Sequence, residues 1–198
     1  LELFSYVKLI LKKLDYLQKK ILHNHFLKVS SIIISPGNTM KNQRKLILND
    51  ETDYGECFAC GPKNPYGLQL KFIQEKNTVK TTFKCTKKYQ GFPGYTHGGI
   101  ITTILDEVMS RVSLVEGKWT STAKLDLRFK KLIPINENII ASAKKIRVLG
   151  KFIQIEGKIY LSNGSIAAEG KGMFATLNKN FLKEMTKDYP NLSQNWMS

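Results

Sequence analysis

The sequence has few cysteines and no long apolar run. Three cysteines occur in 198 residues, an odd number without a disulfide framework. No apolar stretch approaches the roughly 20 residues of a membrane-spanning helix, and internal repeats and low-complexity linkers are absent. These absences exclude a disulfide-stapled scaffold and a repeat array. We expect a cytoplasmic protein without stable membrane insertion, whose hydrophobic content of 42% is enough for one compact core.

One apolar segment of helical length follows a loop that is broken by glycine and proline. The loop spans residues 91–96. A helix is predicted to begin near Gly98, and from Ile100 to Val115 its apolar residues cover more than one stripe. We therefore expect a core helix that is buried on most sides.

A narrow polar face runs along this helix. Its residues recur at alternating spacings of three and four and are Thr103, Asp106, Ser110 and Ser113. The first turn, near Gly98, has backbone N–H groups without intrahelical acceptors and the positive end of the helix dipole, which suit a developing negative charge. Asp106 lies about 12 Å further along the axis. One carbonyl cannot contact both groups, so a site that uses both requires two copies of the chain with antiparallel helices.

Several stretches match one known family. They are Gly91–Glu107, Cys57–Gly61, Asn64–Leu68, Thr122–Phe129 and the turn at Pro134. With these stretches, the region from Cys57 to about Leu177 resembles the hotdog-fold acyl-CoA thioesterases of the 4-hydroxybenzoyl-CoA thioesterase superfamily, specifically the phenylacetic-acid-pathway type with a His-Gly-Gly motif. The central motif is short but fairly specific, because the histidine, both glycines and the carboxylate all match in spacing.

The resemblance implies a role for each residue of the motif. The N–H of Gly98 would polarise the thioester carbonyl, and Asp106 of the partner subunit would be the base or nucleophile. We expect His97 to belong to the catalytic group in a supporting role. The expected substrate-binding residues are Gly99, Thr103 and Thr122. No metal or organic cofactor is required, and the assembly is expected to be a homodimer or a dimer of dimers.

Three carboxylate or amide side chains near the motif have interpretations other than a catalytic role. Glu107 faces Arg111 at i+4, which indicates an ordinary helix ion pair. Gln90 is one place away from the Asn or Gln position that some related enzymes use on the attacking water, so we do not count it. The structural alternative for Asp106 is an interface carboxylate that is hydrogen-bonded across the dimer.

The other segments alternate like the strands of an antiparallel sheet. The predicted strands are Leu68–Ile73, Thr78–Cys85, Ser121–Phe129, Asn138–Leu149, Phe152–Leu161 and Ile166–Leu177. Asn163-Gly164 is the strongest hairpin signal. Strands with one long helix predict an α+β fold with the helix on an antiparallel sheet. The resemblance specifies a hotdog fold, in which the sheet wraps around one central helix.

We expect four parts along the chain. Residues 1–39 form a basic extension whose apolar residues recur at alternating spacings of four and three. This part has no methionine, so we expect it to be translated upstream sequence or a dispensable extension, with the native start at Met40. A targeting peptide and a membrane-surface helix are the alternatives. A polar lead-in (40–56), the hotdog domain (57–178) and a C-terminal tail (179–198) follow.

The net charge of +15 has three interpretations. They are a lysine-rich protein without a specific partner, attraction of a phosphate-bearing acyl-CoA, and nucleic-acid binding. We favour the first because the lysines are scattered, and we expect no nucleic-acid partner because no such motif occurs. The candidate phosphate contacts on or between the late strands are Lys130, Lys131, Lys144, Lys145, Arg147 and Lys151.

Cys57 and Cys60 stand two residues apart, a spacing at which two thiolates can share a zinc ion. Two more ligands would be needed, and neither Cys85 nor the histidines show a partner spacing. We therefore predict no metal site and interpret the pair as small, semi-buried residues. A redox dithiol is the other alternative.

The expected function is hydrolysis of acyl-CoA thioesters to the free acid and CoA. The alternative is a non-catalytic acyl-CoA sensor on the same fold. Hydration of enoyl-CoA is less favoured, because the Asp-His arrangement typical of hydratase relatives is not visible here.

Overall fold

The computed structural model of this protein describes residues 53–185 and 187. The predictions for residues 1–39, for most of the lead-in and for the end of the tail therefore fall outside the described residues. Among those residues, no helix is both long enough and apolar enough to cross a membrane.

One long helix, α1, spans Gly98–Val115, where the sequence predicts it. Its side chains at Ile104, Leu105, Val108 and Met109 are fully buried. Every residue from 100 to 115 is at least half-buried. The prediction of a core helix is confirmed.

Six strands form one sheet. In chain order they are β1 (Phe72–Glu75), β2 (Thr78–Lys84), β3 (Thr120–Phe129), β4 (Asn138–Leu149), β5 (Phe152–Tyr160) and β6 (Ile166–Thr176). Their order across the sheet is β1-β2-β4-β5-β6-β3, and all neighbouring pairs are antiparallel. Within the described residues, β3 is therefore one edge of the sheet and β1 is the other.

Helix α1 packs on one face of this sheet. Along β5, half-buried and buried residues alternate from end to end, as expected for a strand with one face on the core. The helix approaches the sheet closely at Gly157, since a Cβ there would lie 3.0 Å from Cγ of Met109. The predicted α+β architecture, with a helix on an antiparallel sheet, is confirmed.

The strand predicted at Leu68–Ile73 is wrong in its first part. Strand β1 begins only at Phe72. The N–H groups of Leu68 and Leu70 donate to Phe58 O at 2.8 Å and Ala59 O at 2.9 Å in the preceding loop, so this backbone is not available to a sheet neighbour. The other five predicted strands agree with the structure to within one residue at each end.

The hairpin predicted at Asn163-Gly164 is also confirmed. Gly164 has a φ of +81°, a conformation that favours glycine, and the Asn163 side chain accepts a hydrogen bond from the N–H of Ser165 at 2.9 Å. A short helix, α2 (Lys179–Met185), follows β6 in the segment predicted as a tail.

Candidate active site

The loop before α1 is held in place by hydrogen bonds on both sides. The N–H of Gly91 donates to Tyr95 O at 2.9 Å, and the N–H of Thr96 donates to Ile133 O at 2.8 Å. Gly91 has to be glycine, because a Cβ there would lie 2.9 Å from Cα of His97. These contacts therefore fix the backbone of the loop up to the start of the helix.

His97 is the N-cap of α1. Its Nδ1 accepts the N–H of Gly99 at 2.9 Å, which satisfies one of the free donors of the first turn. The proton of a neutral imidazole then lies on Nε2. This geometry fits the supporting role expected for His97, since the cap uses the lone pair that a base at Nδ1 would need.

Gly98 is different from its neighbour. Among the described residues, its backbone N–H has no hydrogen-bond acceptor. A Cβ at Gly98 would meet only the Phe129 ring at 3.9 Å, whereas a Cβ at Gly99 would lie 2.9 Å from Nδ1 of His97. A side chain at Gly99 would therefore force the capping His97 ring to shift, whereas the fold gives no steric reason for glycine at Gly98.

A cavity of about 760 Å³ opens at this helix terminus. Its walls combine the motif, several apolar side chains and two lysines. They include Gln90, Phe92, Tyr95, His97, Gly98, Ile101, Phe129, Lys130, Lys131 and Leu132. A volume of this size is within the range of small-molecule sites.

Gln90 is a cavity residue that the sequence reasoning left out. Its Oε1 accepts the N–H of Gly94 at 3.0 Å, so the side chain also fixes the glycine-rich loop. The sequence analysis does not count it, because it is one place away from the position that some related enzymes use.

Asp106 lies on the polar face of α1, half-buried, and it does not line the cavity of its own chain. Its Oδ1 accepts a hydrogen bond from Oγ1 of Thr122 at 2.7 Å. Burial raises the pKa of Asp106 above the ordinary value, the Thr122 hydroxyl lowers it, and the nearby Glu107 charge raises it. Two of the predicted site residues, Asp106 and Thr122, are thus brought together.

Thr122 places this pair at the edge of the sheet. It lies on β3, which pairs with β6 on one side only within the described residues. The register shifts between Thr122 and Lys124, so Ala123 has no partner in β6. A bulge of this kind changes the direction of neighbouring side chains.

The other polar residues of the helix face bond to the protein itself. The hydroxyls of Thr103 and Ser110 donate to the backbone oxygens of Gly99 at 3.0 Å and Glu107 at 2.9 Å. Oγ of Ser113 accepts from Oγ1 of Thr120 at 3.2 Å. In this arrangement, Thr103 has no hydroxyl proton left for a substrate, and its assignment stays a prediction.

The predicted ion pair between Glu107 and Arg111 is confirmed. Nε of Arg111 donates to Oε1 of Glu107 at 2.9 Å, and the guanidinium also contacts Sγ of Cys60. Next to it, the pKa of Cys57 is lowered to about 6, chiefly because Cys60 hydrogen-bonds to its sulfur. The pKa of Cys60 is raised by the same bond and by burial.

Of the six basic residues proposed as phosphate contacts, Lys130 and Lys131 line the cavity. Lys130 also forms an ion pair with Glu169 at 2.8 Å. The other four lie along β4 and the β4–β5 turn with partners of their own: Glu156 for Lys144, Glu116 for Lys145, Gln154 for Arg147 and the Phe152 ring for Lys151.

Comparison with known proteins gives relatives but no family profile, since no protein-family model matches the chain. Acyl-coenzyme A thioesterase THEM5 of Homo sapiens is 26% identical over 138 residues, which cover 64% of this chain and 53% of that protein. The chain spans about half the length of the curated relatives it matches.

Two solved structures have the same fold. A thioesterase superfamily protein has a TM-score of 0.59 at 23% identity, covering 80% of this chain and 78% of that chain. A Streptococcus mutans protein bound to acetyl-CoA has a TM-score of 0.53 at 17% identity, covering 56% and 90%. The chain has the hotdog fold, and its predicted resemblance to hotdog-fold acyl-CoA thioesterases is confirmed. The phenylacetic-acid-pathway subtype stays a prediction.

Proposed function

We propose that this protein hydrolyses acyl-CoA thioesters to the free acid and CoA in a site shared by two copies of the chain. The observation that carries the proposal is Gly98. Its N–H has no acceptor among the described residues, it lies at the start of a long helix, and it lines the cavity at a position where the fold itself has room for a side chain.

The Gly98 N–H is suited to the oxyanion of a tetrahedral intermediate. The helix dipole adds to the attraction, and the missing side chain allows the carbonyl to approach the backbone. The N–H of Gly99 is already used by the His97 cap, so Gly98 is the donor of this first turn that we assign to the substrate. Preorganised donors of this kind contribute about 3 kcal/mol to transition-state stabilisation.

Asp106 of a second copy supplies the base. The Asp106 of the same chain lies about 12 Å along the helix from Gly98 and outside the cavity. The Asp106–Thr122 pair lies beside the β3 edge, and two β3 edges that pair about a two-fold axis would set the helices antiparallel. We propose a homodimer of this kind, either alone or within a dimer of dimers.

The reaction is written for Asp106 as general base. The carboxylate takes a proton from water, the resulting hydroxide attacks the thioester carbon, and the C=O electron pair moves onto the oxygen held by Gly98. Collapse of the intermediate breaks the C–S bond and releases CoA thiolate, which takes up a proton. Direct attack by the carboxylate would give an anhydride that water then hydrolyses.

The cavity walls suggest where each part of the substrate binds. The exposed side chains of Phe92, Phe129 and Leu132 offer apolar surface to an acyl group. Lys131, for which no ion pair is formed among the described residues, offers a charge to the phosphates of CoA. THEM5, to which the chain is similar, is named as an acyl-CoA thioesterase.

Subunit complementation tests the shared site. Gly98→Ala and Asp106→Asn should each abolish release of free CoA, measured with a thiol reagent on a panel of acyl-CoAs. Co-expression of the two variants should restore about a quarter of the wild-type activity, because half of the dimers are mixed and each mixed dimer has one intact site out of two.

The pattern of outcomes separates the alternatives. Mixed dimers without activity would contradict a shared site, and unchanged hydrolysis by Asp106→Asn would remove this residue from the mechanism. Wild-type protein that binds acyl-CoA without releasing thiol would instead support the sensor function.

We retain the cytoplasm as the proposed compartment. Cys57, Cys60 and Cys85 are all unpaired in the structure, which is consistent with a reducing environment. Cell fractionation with an antibody to the endogenous protein tests this placement, and recovery in an organelle fraction would contradict it.

A further inference from the structure

Three potential metal ligands meet at a place that the proposed reaction does not use. Atoms of Cys57, Cys60 and Glu107 that can ligate a metal all lie within 4.8 Å of one another. Cys60 is buried and the other two are half-buried. None of the three lines the cavity at Gly98. The fold has brought the cysteine pair to the carboxylate that follows Asp106 on α1, so the pair has the third ligand that its sequence spacing lacks.

The turn that holds the two cysteines is preorganised around the Cys57 sulfur. The backbone N–H groups of Ala59 and Cys60 both point to Sγ of Cys57, and the N–H of Gly61 closes the turn on Cys57 O at 2.8 Å. Gly61 has no room for a side chain, because a Cβ would lie 2.3 Å from Gly55 O and 2.5 Å from the Cys57 nitrogen. N–H donors directed at a sulfur stabilise its anionic form, which is the form that binds metals.

Arg111 orients the other two potential ligands, the Glu107 carboxylate and the Cys60 sulfur. Its guanidinium donates to Oε1 of Glu107 and to Sγ of Cys60. Both of the hydrogen bonds that Arg111 donates to Glu107 go to Oε1. This is the arrangement of an outer-shell residue, which fixes the ligands and leaves one face of each free.

We propose that Cys57, Cys60 and Glu107 bind one thiophilic divalent cation of the zinc class, with water as the fourth ligand. Two thiolates and a carboxylate carry three negative charges, and Arg111 supplies one positive charge. A divalent cation makes the cluster neutral. Sulfur with carboxylate ligands selects zinc-like ions over magnesium or calcium, which prefer oxygen alone.

The cation would fasten the loop before β1 to the central helix. The cysteines belong to the loop and Glu107 to α1, so one ion cross-links segments that are far apart in sequence. The contact beside it, between Arg111 and Cys60, already joins residues that are 51 positions apart. The expected effect is on stability, because a metal that binds only the folded chain shifts the folding equilibrium.

The test is a metal titration of the full chain, reduced and stripped with a chelator. Cobalt(II) should bind at one equivalent and give a thiolate-to-cobalt charge-transfer band with the visible spectrum of a tetrahedral site. Zinc should displace the cobalt and raise the melting temperature. Cys57→Ser should lose the band, and Glu107→Gln should weaken binding by about tenfold or more. Cys85→Ser is the matched thiol control and should behave as the wild type.

The result does not depend on hydrolysis, so the metal site and the proposed function can fail separately. Reduced wild-type protein that binds neither cobalt nor zinc overturns the metal site. A charge-transfer band that persists in Cys57→Ser also overturns it. Cys57 is the variant of choice because it is half-buried, and circular dichroism of the metal-free variant verifies that it is folded.

Discussion

Gly98 and Gly99 are adjacent, but a Cβ would have different surroundings at the two positions. A Cβ at Gly99 would collide with the His97 ring at 2.9 Å, which would disrupt the helix cap. A Cβ at Gly98 would make only ordinary van der Waals contact, with the Phe129 ring at 3.9 Å. We therefore assign the first glycine to the substrate of the proposed reaction and the second to the helix cap.

Alanine at each position should separate these reasons. Gly98→Ala should leave the melting temperature unchanged or slightly raised, since alanine is the better helix former, and should abolish thioester hydrolysis. Gly99→Ala should lose about 1 kcal/mol of stability with the cap. Thermal unfolding and a thiol-release assay measure both effects. A destabilised Gly98→Ala protein would show that the glycine has a structural role after all.

The Asp106–Thr122 hydrogen bond makes a pH prediction at the same scale. The pKa of Asp106 is raised mainly by burial, and the Thr122 hydroxyl opposes that rise. A general base is active when ionised, so kcat/KM should rise with pH through a pKa above the ordinary range of aspartate. Thr122→Val removes the opposing hydrogen bond, and the acid limb should move to still higher pH.

Thr122→Ser is the matched control, because it retains the hydroxyl and should retain the wild-type pH profile. The profile is measured as kcat/KM between pH 4 and pH 9 with one acyl-CoA. An acid limb that moves to lower pH in Thr122→Val would contradict the assigned direction. An identical limb in all three proteins would mean that another group controls the rate.

At the scale of elements, the helix and the later strands could be predicted because their signals are local. A glycine-rich start and a continuous apolar run determine α1, and alternation between turn residues determines β2 to β6. The loop around Leu68 and Leu70 could not, because its apolar alternation is the same as that of a strand. The N–H groups of these leucines bond to their own loop, and such a choice of partner is not encoded in periodicity.

The edge strand β3 carries the prediction about assembly. Ala123 lies in the bulge without a partner in β6, so we expect a proline there to spare the β3–β6 ladder and to disturb the open edge. Ala123→Pro should dissociate the proposed dimer and lower activity per subunit, whereas Ala123→Ser should do neither. Sedimentation velocity and the thiol-release assay at matched concentrations decide this. A monomeric variant with full activity would contradict a two-chain site.

At the scale of the whole molecule, the chain carries a net charge of +15, and the structure separates six of the basic residues that contribute to it. Lys130 and Lys131 lie at the cavity, while Lys144, Lys145, Arg147 and Lys151 lie elsewhere. The sequence could identify all six as candidate phosphate contacts, but it could not predict which of them lie at the cavity. Strand register and sheet order determine which side chains lie close together. For the same reason, the sequence could not predict that Glu107 lies close to Cys57 and Cys60, because this proximity depends on how α1 packs.

Lys131 makes this separation testable. Lys131→Ala should raise KM for acyl-CoA severalfold and weaken its dependence on ionic strength, because one charge that attracts the CoA phosphates is lost. The same variant should hydrolyse an acyl-N-acetylcysteamine, which has no phosphates, with the wild-type KM. Lys151→Ala, whose lysine lies over the Phe152 ring outside the cavity, is the control and should leave both KM values unchanged. If Lys131→Ala raises KM equally for both substrates, Lys131 contributes to the cavity wall and not to phosphate recognition. If Lys131→Ala and Lys151→Ala raise KM for acyl-CoA equally, only the overall charge matters.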